Sequence, residues 1–389
     1  MSRADLLTGG DIQNIHYGDI LIKYGAILDI ECESVPSIVH GKESKGTPYL
    51  RDGDVIIADT AEDETVGKCC EIINVNGTKI ESGLHTIPCR PMRSFSPMFL
   101  GYYMNSHYYH KQLFPLMQGV KVLSISKSNI GTTMLSAPCS RSEQTRIVNL
   151  LYLIDNRIRK QQQVIDTLKK YKRGLSDAIF DAIAKMETSV VSPFGKVLSL
   201  LQNNTYSRDE LSSSNDGVKN IHYGDVLIKY GAVLNMSSTQ VPTIKPSKDL
   251  SKYSSSSYLH NGDVVFADTA EDYSVGKATE IYNADGLEIL AGLHTIPCRS
   301  NTGFAPMYLG YYFNSGYFKS QIYPMIQGTK VSSISKSEII KTTLLIPPYS
   351  TQKKIAAFLR NLDTRIEIEE KTVLELIQLK RGLLQQLFI

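Results

Sequence analysis

The residues with the most obvious capacity for chemistry are two acidic clusters, Asp59, Glu62 and Asp63, and Asp268, Glu271 and Asp272, each followed by Val-Gly-Lys (66–68 and 275–277). Carboxylates so spaced could share Mg²⁺ for nuclease work. At turns they more commonly cap backbone N–H groups, and that is the reading preferred here. His85 with Cys89, and His294 with Cys298, have i, i+4 spacing, but Pro88 argues against the helix that would align the first pair, and zinc would need further ligands. The cysteines (Cys32, Cys69, Cys70, Cys89, Cys139, Cys298) form no C-x2-C pair and read as reduced thiols. There is no G-x-x-x-x-G-K-[ST] loop. The nearest match to the Asn/Asp-Pro-Pro-Tyr/Phe motif of amino-methyltransferases is Ile346-Pro347-Pro348-Tyr349, whose isoleucine cannot accept a hydrogen bond from an amine. The sequence therefore predicts no catalytic residue, no metal and no cofactor of its own.

Binding chemistry is better represented. In Gln118–Ser128 and its repeat Gln327–Ser337, Lys121, Lys127, Lys330 and Lys336 suit phosphate contacts. Gln118, Gln327, Ser124, Ser126, Ser333 and Ser335 can address base edges or backbone, and Gly119 permits close approach. Arg90 and Arg299 are candidates for bidentate guanine reading. A surface loop with ordinary lysines is the plainer alternative.

These segments belong to a chain written twice. IHYGDILIKYGAIL (15–28) returns as IHYGDVLIKYGAVL (221–234), and GLHTIPCR (83–90) returns unchanged at 292–299. Between 53–128 and 262–337, 46 of 76 residues are identical. The period is far longer than the roughly 20–50 residues of a solenoid unit, so a whole domain with its tail is duplicated. Short Val-, Ile- and Tyr-rich runs broken by Gly-Asp and Asn-Gly predict strands, and segments such as 97–114 predict interposed helices. The expected fold class is α+β: two duplicated heads separated by a long antiparallel two-helix coiled coil with pseudo-two-fold symmetry. The boundaries are 1–140 for the first head, 141–186 for the first helix, 187–349 for the second head and 350–389 for the second helix.

The helices rest on a 3,4 spacing of apolar residues. The first seam runs through Ile147, Leu151, Ile154, Ile158, Ile165, Leu168 and Leu175. The second runs through Ile355, Leu359, Leu362, Ile366, Val373, Leu376 and Leu383, with lysine interruptions at Lys172 and Lys380. The first helix would span roughly 58 Å. Because it carries the chain to its far end, connectivity favours an antiparallel pair with a head at each end, a ruler suited to a long two-fold ligand such as duplex DNA. Two amphipathic helices docked separately on their own heads are the alternative. Over 141–173, nine Lys/Arg face Glu143, Asp155 and Asp166, a local excess suited to phosphates or to solvent. Overall, 42 Lys+Arg against 39 Asp+Glu leave +3, which excludes neither. No apolar run reaches the roughly 20 residues of a membrane span, and the opening MSRADLLTGG has no signal core, so a cytoplasmic location is expected.

The helix starts PCSRSEQTRIVNLLYLIDNRI (138–158) and PYSTQKKIAAFLRNLDTRI (348–366), with the ending LKRGLLQQLF (379–388), resemble the specificity subunit of type I restriction–modification enzymes. The resemblance covers nearly the whole chain. It implies two target-recognition domains, each reading one half of a split double-stranded DNA sequence, with the helices fixing the gap. It also implies docking of two methyltransferase subunits, and nuclease/translocase subunits in the full complex. S-adenosylmethionine, ATP and Mg²⁺ would sit on those partners, and this chain would be a non-catalytic DNA-binding subunit serving DNA methylation. A self-contained methyltransferase or nuclease, or a coiled-coil interaction scaffold, are the alternatives. The similar heads predict similar half-sites and a near-palindromic target, any difference lying in 29–51 against 235–260 and 92–94 against 301–303. One departure stands out: 193–206 opens the second head, but the first begins near the equivalent of Ser207-Arg208 without that segment, so either it misses an edge element or the natural start lies upstream.

Overall fold

A computed structural model describes residues 3–42, 48–214, 216–328 and 330–388. Residues 43–47, within the first of the divergent stretches, lie outside these. The chain forms two compact units, Met1–Gln163 with Glu370–Ile389, and Val164–Glu369. Two sheet-rich α+β domains are joined by two long helices, Arg141–Ala184 and Tyr349–Leu387, packed together, and each unit takes a piece of both helices.

In the first unit the central sheet orders Ile27–Asp29, Cys69–Ile73, Val55–Ala58 and Thr86–Cys89. The first pair is parallel and the others antiparallel. Val55–Ala58 is buried along its whole length because both faces of the sheet are covered, which is why it reads as a continuous apolar run. One face packs on Ile15, Ile20 and Leu28, the other on the helix Phe99–Met104 and the start of the first long helix. In the second unit the equivalent sheet has a fifth strand, Leu198–Leu200, added to the edge of Thr295–Ser300. This strand comes from the 193–206 segment that opens the second head. The alignment of the starts also agrees, since Arg3 pairs with Asp19 at 3.0 Å as Arg208 pairs with Asp225.

Local sequence explains how each helix leaves its head. Gln144 is buried, accepts from Ser96 N at 2.9 Å and donates to Pro138 O at 2.8 Å. Gln352 repeats this with Ala305 N and Pro347 O at 3.0 and 2.9 Å. The Pro-to-Gln spacing at the two helix starts is thus a side-chain clasp that fixes the exit angle.

Within each unit the helix pieces run antiparallel. In the first, Ile147 and Leu151 share a core with Leu383, Leu384 and Phe388, while Asp155 meets Lys380 at 2.6 Å. In the second, Ile355 and Leu359 share a core with Phe180 and Ile183, while Asp363 meets Lys172. The seam residues of both series are buried or half-buried. The helix starts differ from a plain two-helix seam, because the head supplies a third partner. Stacked rings of Phe95, Phe99 and Tyr103, centroids 6.1 Å apart, receive Phe388 edge-on at 5.7 and 5.6 Å. Phe304, Tyr308 and Tyr312 receive Phe180 in the same way. The helices exchange roles between units: each head is closed by its own helix and by the end of the other.

Replacing the buried clasp residue, Gln352→Leu, strands the Ala305 N–H and should cost about 1–3 kcal/mol. A lowered urea midpoint with faster amide exchange in Tyr308–Phe313 is the expected result, and unchanged exchange there would contradict the clasp.

Candidate nucleic-acid interface

Gln118 and Ser124 exchange both backbone hydrogen bonds, at 2.9 and 2.8 Å, closing a tight loop. Gly119 turns it at φ 124°, where a Cβ would lie 1.9 Å from Val122 O, so only glycine fits. The loop presents Val120, 99% exposed, and Lys121 to solvent. Its base is anchored: Leu123–Ser124 pairs with Thr60–Ala61, and Ile125 N donates to Asp59 O at 2.8 Å. The repeat is faithful, with Gln327 and Ser333 exchanging bonds at 3.0 and 2.8 Å, Gly328 at φ 108° and Lys330 exposed.

Ser126 and Ser335 serve the backbone. Each hydroxyl caps the short helix that follows, accepting from Asn129 N at 3.1 Å and Glu338 N at 3.2 Å. Lys127 and Lys336 sit at those helix starts, and Lys336 Nζ donates to Asn203 Oδ1 at 2.9 Å.

Anchoring at Asp59 brings in residues that sequence reasoning treated separately. Asp59 Oδ1 accepts from Thr60 Oγ1 at 2.7 Å and lies 3.3 Å from His85 Nδ1. Asp59 N donates to His85 O at 3.1 Å, and the edge of Tyr17 lies against the imidazole at 5.3 Å between centroids. Asp268, Thr269, His294 and Tyr223 repeat the cluster. Both histidines take a left-handed backbone, φ 53° and 54°, which pushes the half-exposed ring out beside the loop. Both segments return unchanged in the repeat, but nothing in the sequence says that they meet.

Asp63 and Asp272 are turn caps: Asp63 accepts from Thr65 N and Oγ1 at 2.9 and 2.5 Å, and Asp272 from Ser274 N at 2.8 Å. Those bonds hold both carboxyls below their ordinary range. Lys68 and Lys277, of the Val-Gly-Lys runs, donate to Leu21 O and Leu227 O at 2.7 and 2.8 Å. Among the described residues no group of three or more His, Cys, Asp or Glu side chains is arranged to hold a metal ion.

Arg90 and Arg299 are already engaged. Arg90 Nε and Nη2 grip Asp54 at 2.8 and 2.7 Å, and Arg299 grips Asp263 at 2.9 and 2.6 Å. The fork that would read guanine thus ties the sheet to the 49–54 and 258–263 turns. Lys172 is likewise occupied on Asp363.

Behind the interface, a buried glutamate caps the first helix turn. Glu71 accepts from Met98 N and Gly101 N at 2.6 and 2.9 Å, Glu280 from Met307 N and Gly310 N at 2.6 and 2.8 Å. Burial outweighs these bonds and lifts both carboxyls to about 7.

With this geometry in place, the comparisons with known proteins are informative. A family model, type I restriction modification DNA specificity domain, matches residues 203–379, nearly the whole second repeat and its helix. The first repeat shares that sequence and fold. The second repeat and its helix thus match the DNA specificity domain of type I restriction–modification systems, and the chain is similar to specificity subunits over most of its length. It is 19% identical over 349 residues to a type I restriction enzyme MjaX specificity subunit of Methanocaldococcus jannaschii, covering 86% of this chain and 77% of that one. It shares its fold with a chain from a structure of type I R-M complex assembly and conformational transition (TM-score 0.59, 18% identity, 97% and 90% covered). A type I restriction-modification S subunit from M. genitalium is also similar (TM-score 0.51, 10% identity, 100% and 91% covered). Specificity subunits are the non-catalytic, DNA-specificity components of these systems. Among the described residues no helix is long and apolar enough to cross a membrane.

A glutamate whose folded pKa exceeds its unfolded one holds an extra proton when folded, so its contribution is complete below about 4.5 and lost as pH rises through about 7. Thermal melts of the full-length chain should show stability declining over that interval, and Glu280→Gln should flatten the decline while lowering stability throughout. An unaltered slope in the variant would contradict the assignment.

Proposed function

We propose that this specificity subunit reads two similar half-sites of one double-stranded DNA sequence, separated by an unread gap that the paired helices set. The observation that carries this reading is the faithful duplication of the glycine-turned loop, 118–124 and 327–333, with a lysine at its tip and a His–Asp–Thr cluster at its base. Lys121, Lys127, Lys330 and Lys336 meet phosphates, while Gln118, Gln327, Ser124 and Ser333 face base edges. Arg90 and Arg299 tie the sheet to the 49–54 and 258–263 turns and join the DNA only if their carboxylates release them. Serving DNA this way, the subunit docks two methyltransferase subunits that carry S-adenosylmethionine, and nuclease/translocase subunits that use ATP and Mg²⁺, in the cytoplasm.

The test is DNA binding by the assembled methyltransferase complex across a salt series. Lys127→Ala with Lys336→Ala should weaken binding to all sequences and reduce the log–log salt slope by about 1 per lysine. Gln118→Ala should relax base preference at one position of one half-site. Binding indifferent to salt would refute the reading and favour a protein scaffold.

A further inference from the structure

At the foot of each glycine-turned loop lies a half-exposed imidazole, His85 in the first head and His294 in the second. The ladder between Val55–Ala58 and Thr86–Cys89 runs on by one bond, Asp59 N to His85 O at 3.1 Å, and sets the two side chains next to each other. The histidines then take φ 53° and 54°, a left-handed backbone that few residues other than glycine adopt. Such a conformation costs free energy, yet both heads keep it with the same partners. Tyr17 and Tyr223 brace the imidazoles edge-on, with centroids 5.3 Å apart.

The neighbours of Nδ1 decide which ring nitrogen carries the proton. Asp59 Oδ1, 3.3 Å away, is a carboxylate oxygen and only accepts. Thr60 Oγ1, 3.4 Å away, has its one hydrogen committed to Asp59 Oδ1 at 2.7 Å, so it offers the ring only lone pairs. Nδ1 therefore carries hydrogen, and in the neutral ring Nε2 keeps a lone pair directed away from the carboxylate. The second head repeats this: Asp268 Oδ1 lies 3.3 Å from His294 Nδ1 and accepts from Thr269 Oγ1 at 2.7 Å. Among the described residues no group bonds Nε2 of either ring.

We propose that His85 and His294 are specificity-determining residues, each presenting Nε2 as a fixed hydrogen-bond acceptor to the exocyclic amine of an adenine or cytosine in its half-site. This rests on the reading of DNA by the adjoining loops and names one base class that they select. In the major groove the amine of one base lies beside the keto oxygen of its partner. An acceptor held in one place thus separates A or C from G or T on the strand it faces. A guanine or thymine there sets its oxygen against the Nε2 lone pair, and neither can donate. Asp59 and Asp268 touch no base and are positioning residues, holding the tautomer.

The test is binding selection by the assembled methyltransferase complex from a DNA pool randomised across both half-sites. The unaltered chain should exclude G and T about tenfold at one position of each half-site. His85→Asn with His294→Asn should abolish that discrimination and leave the other positions and the salt slope unchanged, because asparagine tolerates the left-handed backbone. Asp59→Ala with Asp268→Ala should lose discrimination at the same position, with no further loss when the histidines are changed as well. An unaltered preference in the histidine variant, G or T selected at the position it affects, or binding weakened evenly for all sequences would each overturn the assignment and leave the two-half-site reading standing. A pool from which the unaltered complex recovers no bipartite sequence would overturn both.

Discussion

The structure depends on a carboxylate held between a tyrosine and a lysine. In each head a buried tyrosine (Tyr102, Tyr311) donates at 2.9 and 2.8 Å to an aspartate of its own long helix (Asp155, Asp363). A lysine from the other helix (Lys380, Lys172) completes the triad and lies over the tyrosine ring at 5.4 and 5.3 Å. Partly exposed ion pairs contribute little net stability. Their effect is on register. A lysine set into a mostly apolar seam is tolerated where an acceptor meets it, and any slip of the helices would bury it without one. The apolar seam supplies the attraction and the two lysines fix where along it the helices stop.

That constraint explains why the chain is duplicated with its tail. A head without the end of the other helix would expose the ring column that Phe388 or Phe180 covers and would lose the lysine from its triad. Each half of the sequence therefore carries what completes the other, and the glycine-turned loops are mounted on cores to which both helices contribute.

The repeat, the α+β texture and the paired helices were legible because they rest on identity and periodicity, which sequence displays directly. What the sequence hid were pairings across space. Arg90 looked free because its partner Asp54 lies 36 residues away, although the same separation recurs for Arg299 and Asp263. Ser126 and Ser335 looked like base readers, and their position ahead of short helices makes them caps. Lys172 was counted among the phosphate-facing charges, yet its place in the seam, matched by Lys380, was the better clue. The His–Asp–Thr cluster required knowing that strand 86–89 and the 59–61 turn run side by side, which no local pattern states.

Sequencing the methylome of the host with and without this gene decides whether one reading head is used twice at a separation the helices set. Loss of a single bipartite motif is expected, its two halves resembling each other as inverted repeats around an unread gap of constant length. Loss of a contiguous motif, of two unrelated half-sites, or of no methylation in a host whose methyltransferase subunits are expressed would contradict it.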